Sequence, residues 1–253
     1  MRLRAIILNT FIESIRDKIL LVLLAVGFIL MAASKFIKPL ALGEEAKVIK
    51  DLSLSSINFI SVLIAILIGG RLIYKEVEKR TIYLVLSRPI RRGEFILGKY
   101  LGQMLLLFIV VGILTIAFGI VLLLTDVKTN YSILLPNLLL LFQLSIITSL
   151  AIFFSTFATP LTASIFTFIL YFVGHLTRDL KTLAQISKST VVKIIANFLY
   201  YLLPNLSNFD IKGKVVHEIP LSFSHICLPI IYGLLWTIAL LYFSFLIFER
   251  KDF

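Results

Sequence analysis

The feature that most constrains this chain is a run of 49 residues, Thr129–Thr177, that contains no Asp, Glu, Lys or Arg. Hydrophobic residues make up 59% of the 253 residues and charged residues 15%, whereas soluble domains are about 45–50% apolar and about 25% charged. A soluble fold of this length could not bury so much apolar side chain. The composition therefore indicates an integral membrane protein, whose lipid-facing surface is apolar as well.

Further uncharged runs of span length alternate with charged segments. A helix needs roughly 20 apolar residues to cross a bilayer, so the run of 49 residues holds two spans. They separate at Phe157–Pro160, because proline disfavours helix at the residue before it. The sequence predicts an all-α membrane fold with six transmembrane helices in one domain, residues 1–253. The predicted spans are about 19–37, 52–70, 100–125, 133–155, 161–177 and 225–248.

One uncharged segment, 194–209, is too short for a standard span at 16 residues and includes Pro204. It is rich in the aromatic residues that favour membrane interfaces. Its length favours a re-entrant or interfacial element before the last helix, within an outer loop at 178–218. The alternative, a seventh span, would move the C-terminus to the other side of the membrane.

Lys and Arg predict the orientation, because they are retained on the cytoplasmic side. With six spans and a cytoplasmic N-terminus, inner segments hold 14 Lys and Arg and outer segments 11. The segment Arg71–Lys99 contributes eight of these in 29 residues. We therefore expect both termini and this loop in the cytoplasm. The basic residues that give the net charge of +11 lie between apolar runs. This placement indicates contact with the anionic headgroups of a lipid bilayer rather than with nucleic acid.

The N-terminal residues 1–18 follow a helical period. Leu8, Phe11, Ile12, Ile15 and Ile19 share one face, and the opposite face is polar. This pattern predicts an amphipathic helix on the inner membrane surface; the alternative is the frayed start of the first span.

Motifs for catalysis and metal binding are absent from the sequence. There is no G-x-x-x-x-G-K-[ST] phosphate loop, no H-E-x-x-H and no G-x-S-x-G. Ionisable residues are scarce in the spans, which disfavours ion-coupled carriers and intramembrane enzymes. We expect no catalytic residue, no metal ligand and no cofactor bound by this chain, so the energy for any transport comes from elsewhere.

Small and hydroxylated residues recur at helical spacing in the spans, where they let helices approach closely and share hydrogen bonds. Their interpretation is helix packing; the alternative is that some of them line a translocation path or a subunit interface. These residues are Gly98, Gly102, Ser145, Ser149, Ser164, Thr167 and Tyr171.

The loop 71–99 carries the most informative pattern. Span two continues as a short charged helix, Arg88-Pro89 breaks it, and a second helix starts near Arg92–Glu94 and runs into span three. On charge alone, the loop would be a positive-inside anchor.

The string from Glu76 to Gly102, E-V-E-K-R-T-I-Y-L-V-L-S-R-P-I-R-R-G-E-F-I-L-G-K-Y-L-G, resembles the hallmark of ABC-2 type transporter permeases. It is most similar to the branch that includes the permease used in nitrous-oxide-reductase maturation. Many members have Gly before the Thr, where this chain has Arg80. The positions that match are Glu78, Thr81, Leu86-Ser87, Pro89, Arg91 or Arg92, and Gly98-Lys99.

The resemblance implies a membrane subunit of an ATP-driven exporter in a prokaryotic cytoplasmic (inner) membrane. It implies a second permease copy or homologue and two separate ABC ATPase subunits that bind ATP and Mg²⁺. The first cytoplasmic loop and the N-terminal helix would dock on the ATPases. The residues implied for coupling are Glu76, Glu78, Arg80, Thr81, Ser87, Pro89, Arg91 and Arg92. The alternative function is a non-transporting scaffold or assembly factor that anchors a cytosolic partner.

Overall fold

A computed structural model describes residues 2–37, 44–78, 92–125, 127, 131–187, 189–217, 219–220 and 222–250. The regular structure of these residues is helical. The α-helices are α1 Arg2–Ile15, α2 Lys18–Ile37, α3 Glu45–Gly69, α4 Tyr74–Glu78, α5 Arg92–Leu124, α6 Leu135–Ser155, α7 Pro160–Ile186, α8 Thr190–Leu202, α9 Lys212–Val216 and α10 Ser224–Glu249. Short 3₁₀ turns cover Tyr131–Leu134 and Leu206–Phe209.

Five helical segments are long and apolar enough to cross a membrane, and α1 with α2 qualifies as a sixth when the bent pair is taken together. The five are Glu45–Glu76, Arg92–Leu124, Ser132–Ser155, Pro160–Asp179 and Ser224–Glu249. The predicted all-α integral membrane fold is confirmed. The residues at which each span enters and leaves the bilayer stay predictions.

The break between α6 and α7 lies where the proline stands. Helix α6 ends at Ser155, and α7 begins with Pro160 as its first residue. A proline is tolerated there because the first N–H groups of a helix have no intrahelical acceptor. The backbone N–H of Ala163 donates to the carbonyl of Thr159 at 2.8 Å, which starts the new helix at once.

Helices α3 and α6 form the centre of the bundle. About two thirds or more of each is buried, against 28% for the corresponding windows of α7 and α10. Every residue of α6 from 143 to 152 is buried, and α6 packs against α3, α5, α7 and α10.

Helix α1 is bent by 60° from α2. The bend follows from Asp17, whose side chain accepts a hydrogen bond from the backbone N–H of Ile19 at 3.0 Å. This is the N-cap contact that starts a new helix. Leu8, Ile12 and Ile15 are exposed on α1, so much of the predicted apolar face points away from the protein, as a helix at a membrane surface requires.

Helix α1 packs on α5 through the predicted Gly98 and Gly102 pair. A Cβ atom at Gly98 would lie 2.6 Å from Cγ2 of Ile6, and one at Gly102 would lie 2.8 Å from the carbonyl oxygen of Ile7. Thr10 is buried in the same contact face, where its Cβ lies 2.7 Å from the Cβ position of Gly102. The glycine pair therefore seats the N-terminal helix rather than another span.

Helix α8 has 13 residues, a length of about 20 Å at 1.5 Å per residue, which is short of the roughly 30 Å hydrocarbon core. It ends where Leu203 turns extended, with φ −101° and ψ 144°, because Pro204 follows. This length disfavours the alternative of a seventh span across 194–209, and the re-entrant element stays a prediction. The apolar side chains of α8 are exposed and suit an interfacial or re-entrant position.

We expect Gly102→Ala to destabilise the protein by about 1–3 kcal/mol, because the added methyl group meets the backbone of α1. Gly112→Ala is the matched control in the same helix, since nothing lies within 4 Å of its Cβ position; it should gain about 0.5–1 kcal/mol. Thermal unfolding in detergent measures both. Equal shifts for the two variants would contradict the close packing of α1.

Candidate functional site

Six charged side chains gather at the end of the bundle where the loop 79–91 leaves it. We refer to them as the loop-end cluster. It consists of Glu13, Asp17, Arg71, Lys75, Glu76 and Lys99. Three carboxylates oppose three cations, so the cluster is formally neutral. It brings together α1 and its link to α2, the segment after α3, and the first turns of α5.

Lys99 is at the centre of the loop-end cluster. Its side chain is only 2% exposed, and its Nζ lies 2.7 Å from Oε1 of Glu76 and 3.8 Å from Oε2 of Glu13. The ammonium also lies 5.7 Å from the centre of the Phe95 ring. An unpaired ammonium is costly to bury, so the two carboxylates are what permit Lys99 to lie here.

Two further ion pairs surround this centre. Nζ of Lys75 lies 2.7 Å from Oε1 of Glu13, and both side chains are about 40% exposed. The guanidinium of Arg71 donates to Oδ2 of Asp17 at 2.7 Å and to the carbonyl of Leu67 at 2.9 Å. Since Asp17 also caps α2, one carboxylate fixes both the bend of the N-terminal segment and its contact with the end of α3.

The turn between α3 and α4 is also held by α6. Oγ of Ser155 accepts hydrogen bonds from the backbone N–H groups of Ile73 and Tyr74, each at 3.2 Å. The first helical N–H groups of α4 would otherwise lack partners in a buried turn. The start of the loop is thus fixed on the central helix of the bundle.

The other end of the loop is fixed on α10. Nη1 of Arg92 donates to the carbonyls of Phe248 and Glu249 at 3.0 and 2.6 Å. These carbonyls end a helix and carry its partial negative charge, which suits a guanidinium. The rings of Phe95 and Phe248 stack with centroids 5.8 Å apart. Both ends of the loop therefore rest on helices that cross the bundle.

The structure places the predicted coupling residues differently from one another. Glu76 points into the protein towards Lys99, whereas Glu78 is exposed at the end of α4. Arg92 contacts α10. The remaining predicted coupling residues, Arg80, Thr81, Ser87, Pro89 and Arg91, lie outside the described residues.

Among the predicted packing residues, Ser145 joins three helices. Its Oγ lies 2.6 Å from the hydroxyl of Tyr100 on α5 and 2.7 Å from Oγ1 of Thr237 on α10. Hydroxyl pairs of this kind hold helices together in lipid, where the hydrophobic effect offers no drive between them.

The other packing residues lie on α6 and α7. Ser149 and Thr167 donate to carbonyls of their own helices at 2.7 Å. Ser164 and Tyr171 reach α3, with bonds of 3.4 Å each to the carbonyl of Ile66 and the side-chain oxygen of Asn58. Ser164 and Tyr171 thus make contacts between helices, and a role of these residues in a translocation path stays a prediction.

Sequence reasoning identified a polar face on the N-terminal helix but missed the ion pairs that Glu13 and Asp17 make. The positions of these two acidic residues in the sequence do not indicate their basic partners, which come 54 and more residues later. Within the described ranges, no three His, Cys, Asp or Glu side chains group to hold a metal ion.

The comparison with protein families matches residues 4–253 to the family described as ABC-2 family transporter protein. The chain belongs to the ABC-2 family. Among curated proteins no relative matches it. The branch that contains the nitrous-oxide-reductase maturation permease stays a prediction.

Membership in the ABC-2 family makes this chain a multi-pass membrane component of an ABC transporter. Such a component is not itself catalytic. In this ABC-2 protein the loop-end cluster, Ser155 and Arg92 fix the two ends of the loop to four helices. The cluster is thus a structural base that holds the ends of the loop on the bundle.

We expect Lys99→Met to destabilise the ABC-2 protein by about 3 kcal/mol, because it leaves Glu76 and Glu13 without their buried cation. Lys75→Met removes a half-exposed pair and should cost about 0–1 kcal/mol. The combined variant Lys99→Met/Glu76→Gln should recover part of the loss. Thermal unfolding of the detergent-solubilised variants checks this order, and equal losses at Lys99 and Lys75 would contradict it.

Proposed function

We propose that this chain is the permease subunit of an ATP-driven ABC-2 exporter, which moves a substrate of unidentified class across the membrane with energy from separate ATPase subunits. The observation that carries the proposal is the loop-end cluster, which binds the N-terminal helix to both sides of the loop. The family match supports the transporter role. The sequence has no phosphate loop of its own, which fits ATP binding by another chain.

The contacts at this end of the bundle connect the loop mechanically to the membrane-spanning helices. A displacement of α4 acts on α5 through the 2.7 Å pair of Glu76 and Lys99, and on α6 through Ser155. Interfaces that are held by discrete pairs shift as units rather than deform gradually. Movement of the loop by a docked ATPase would therefore reach the central helix of the bundle.

We place two ABC ATPase subunits at the loop-bearing end, together with a second permease copy or homologue beside this chain. The surface at that end includes Glu78, the exposed Arg16 and the exposed Glu249. Charges at such a rim set specificity and the rate of association more than affinity. ATP and Mg²⁺ would be bound by the ATPase subunits.

The proposed location is the cytoplasmic membrane of a prokaryote, with both termini in the cytoplasm. Two contacts support a common side for the termini and the loop. Arg71 binds Asp17 near the N-terminus, and Arg92 binds the carbonyl of Glu249 near the C-terminus. The loop itself is the most basic segment, as the positive-inside rule requires of a cytoplasmic loop.

Gentle extraction of the tagged chain from its native membrane should recover a stoichiometric soluble protein that contains a phosphate loop. Mass spectrometry of the purified complex identifies it. Recovery of the chain with partners that all lack a phosphate loop would favour the alternative function, a scaffold or assembly factor.

We expect Glu78→Lys to weaken ATPase docking roughly tenfold, or about 1.4 kcal/mol, while the fold is retained, because Glu78 is exposed at the start of the loop. The stimulation of ATP turnover by the reconstituted permease measures the effect. Glu44→Lys is the matched control, since Glu44 is an exposed carboxylate before the other end of α3.

Glu76→Lys serves as a second comparison, because it sets two ammonium groups against each other inside the protein and should lower stability instead. Normal stimulation of ATP turnover by Glu78→Lys would remove Glu78 from the docking surface.

A further inference from the structure

A groove of about 760 Å³ opens at the end of the bundle opposite the loop-end cluster. It lies between the last turns of α7, the segment 200–214 and the first turns of α10. Sites for small molecules and lipids are clefts of roughly 300–1,000 Å³, so the groove has the volume for a ligand. It shares no residue with the loop-end cluster.

The groove carries an excess of positive charge. Arg178, Lys181 and Lys214 line it, together with one carboxylate, Asp210. The only cation–π contact of these three within the described residues is that of Lys181, whose Nζ lies 5.0 Å from the centre of the Tyr200 ring. Among the described residues, the salt bridges are made by Lys47, Arg71, Lys75 and Lys99, and none of them involves a basic side chain of the groove. The charge therefore favours an anionic ligand.

The groove continues into an apolar stripe on α10. Leu228, Ile231 and Leu235 line it at spacings of three and four residues, so they share one face of the helix. Their side chains are 65, 56 and 63% exposed in the single chain. In a bilayer this face adjoins the acyl chains. A ligand that contacts both the basic side chains of the groove and the apolar stripe has an anionic head and an apolar tail.

The floor of the groove is held in place by hydrogen bonds. The backbone N–H of Asn205 donates to the hydroxyl of Tyr232 at 2.7 Å, and Ser207 donates to the side-chain oxygen of Asn205 at 2.6 Å. Gly174 lets this segment approach α7, since a Cβ there would lie 2.9 Å from the carbonyl oxygen of Pro204. A fixed floor lowers the entropy that a ligand must offset on binding.

We propose that this groove binds an anionic phospholipid from the surrounding bilayer. The phosphate lies among Arg178, Lys181 and Lys214, and an acyl chain runs along Leu228, Ile231 and Leu235. A zwitterionic lipid would leave the excess positive charge uncompensated, and a free phosphate would leave the apolar stripe unused. The inference goes beyond the proposed function, because it requires neither ATP nor an ATPase partner.

The test uses the full chain in nanodiscs of phosphatidylcholine, with and without phosphatidylglycerol, followed by native mass spectrometry of the released protein. The wild-type chain should retain phosphatidylglycerol in preference to phosphatidylcholine. The variant Arg178→Ala/Lys181→Ala/Lys214→Ala should retain at least about tenfold less of it, because each basic residue near a membrane adds roughly fivefold in affinity for anionic lipid. Lys193→Ala is the matched control, since Lys193 is an exposed basic residue of α8 that does not line the groove.

A second variant separates a lipid from a free anion. Ile231→Trp fills the apolar stripe without changing charge, so it should displace phosphatidylglycerol, whereas added glycerol phosphate should not compete with the lipid in the wild-type chain. Retention by the triple variant at the wild-type level, or an equal loss in Lys193→Ala, would overturn the proposal. Full competition by glycerol phosphate would overturn the lipid as occupant.

Discussion

An ammonium group with almost no contact with solvent must have carboxylates beside it, and the arrangement of this protein's loop-bearing end follows from that requirement at Lys99. Glu76 and Glu13 meet the requirement from two different parts of the chain. To do so, α4 has to follow α3 closely and α1 has to lie against α5. Gly98 and Gly102 permit that second contact because they have no Cβ. The burial of Lys99 therefore accounts for the two glycines near it in the sequence, Gly98 before it and Gly102 after it.

The two ends of the bundle differ in chemistry although the helices between them are uniformly apolar. At one end, the three carboxylates and three cations of the loop-end cluster are paired within the protein. At the other end, the groove between α7 and α10 has more cations than carboxylates and is lined by apolar side chains of α10. Paired charges stabilise a fixed arrangement, whereas the unmatched cations of the groove are suited to a ligand.

The helices could be predicted from the sequence because the length of an apolar run and the position of a proline are local properties. Pro160 divides the longest run, and α5 begins at Arg92, where sequence analysis expected a helix to start. The contacts of the site could not be predicted in this way. The pattern of α1 shows that Glu13 is on a polar face, but it contains nothing about which helix lies beside that face. For the same reason Ser145 was recognisable as a packing residue, while its partners Tyr100 and Thr237 were not.

Helix α1 packs on residues of α5 that are synthesised after it. The chain is synthesised from the N-terminus, so α1 is complete before Gly98 and Gly102 exist, and so is Glu13 before Lys75 and Lys99. Until then α1 lacks the α5 surface on which it packs, but Leu8, Ile12 and Ile15 give it an affinity for the membrane surface. The apolar stripe that remains exposed in the finished fold therefore also holds α1 at the membrane surface before α5 is inserted.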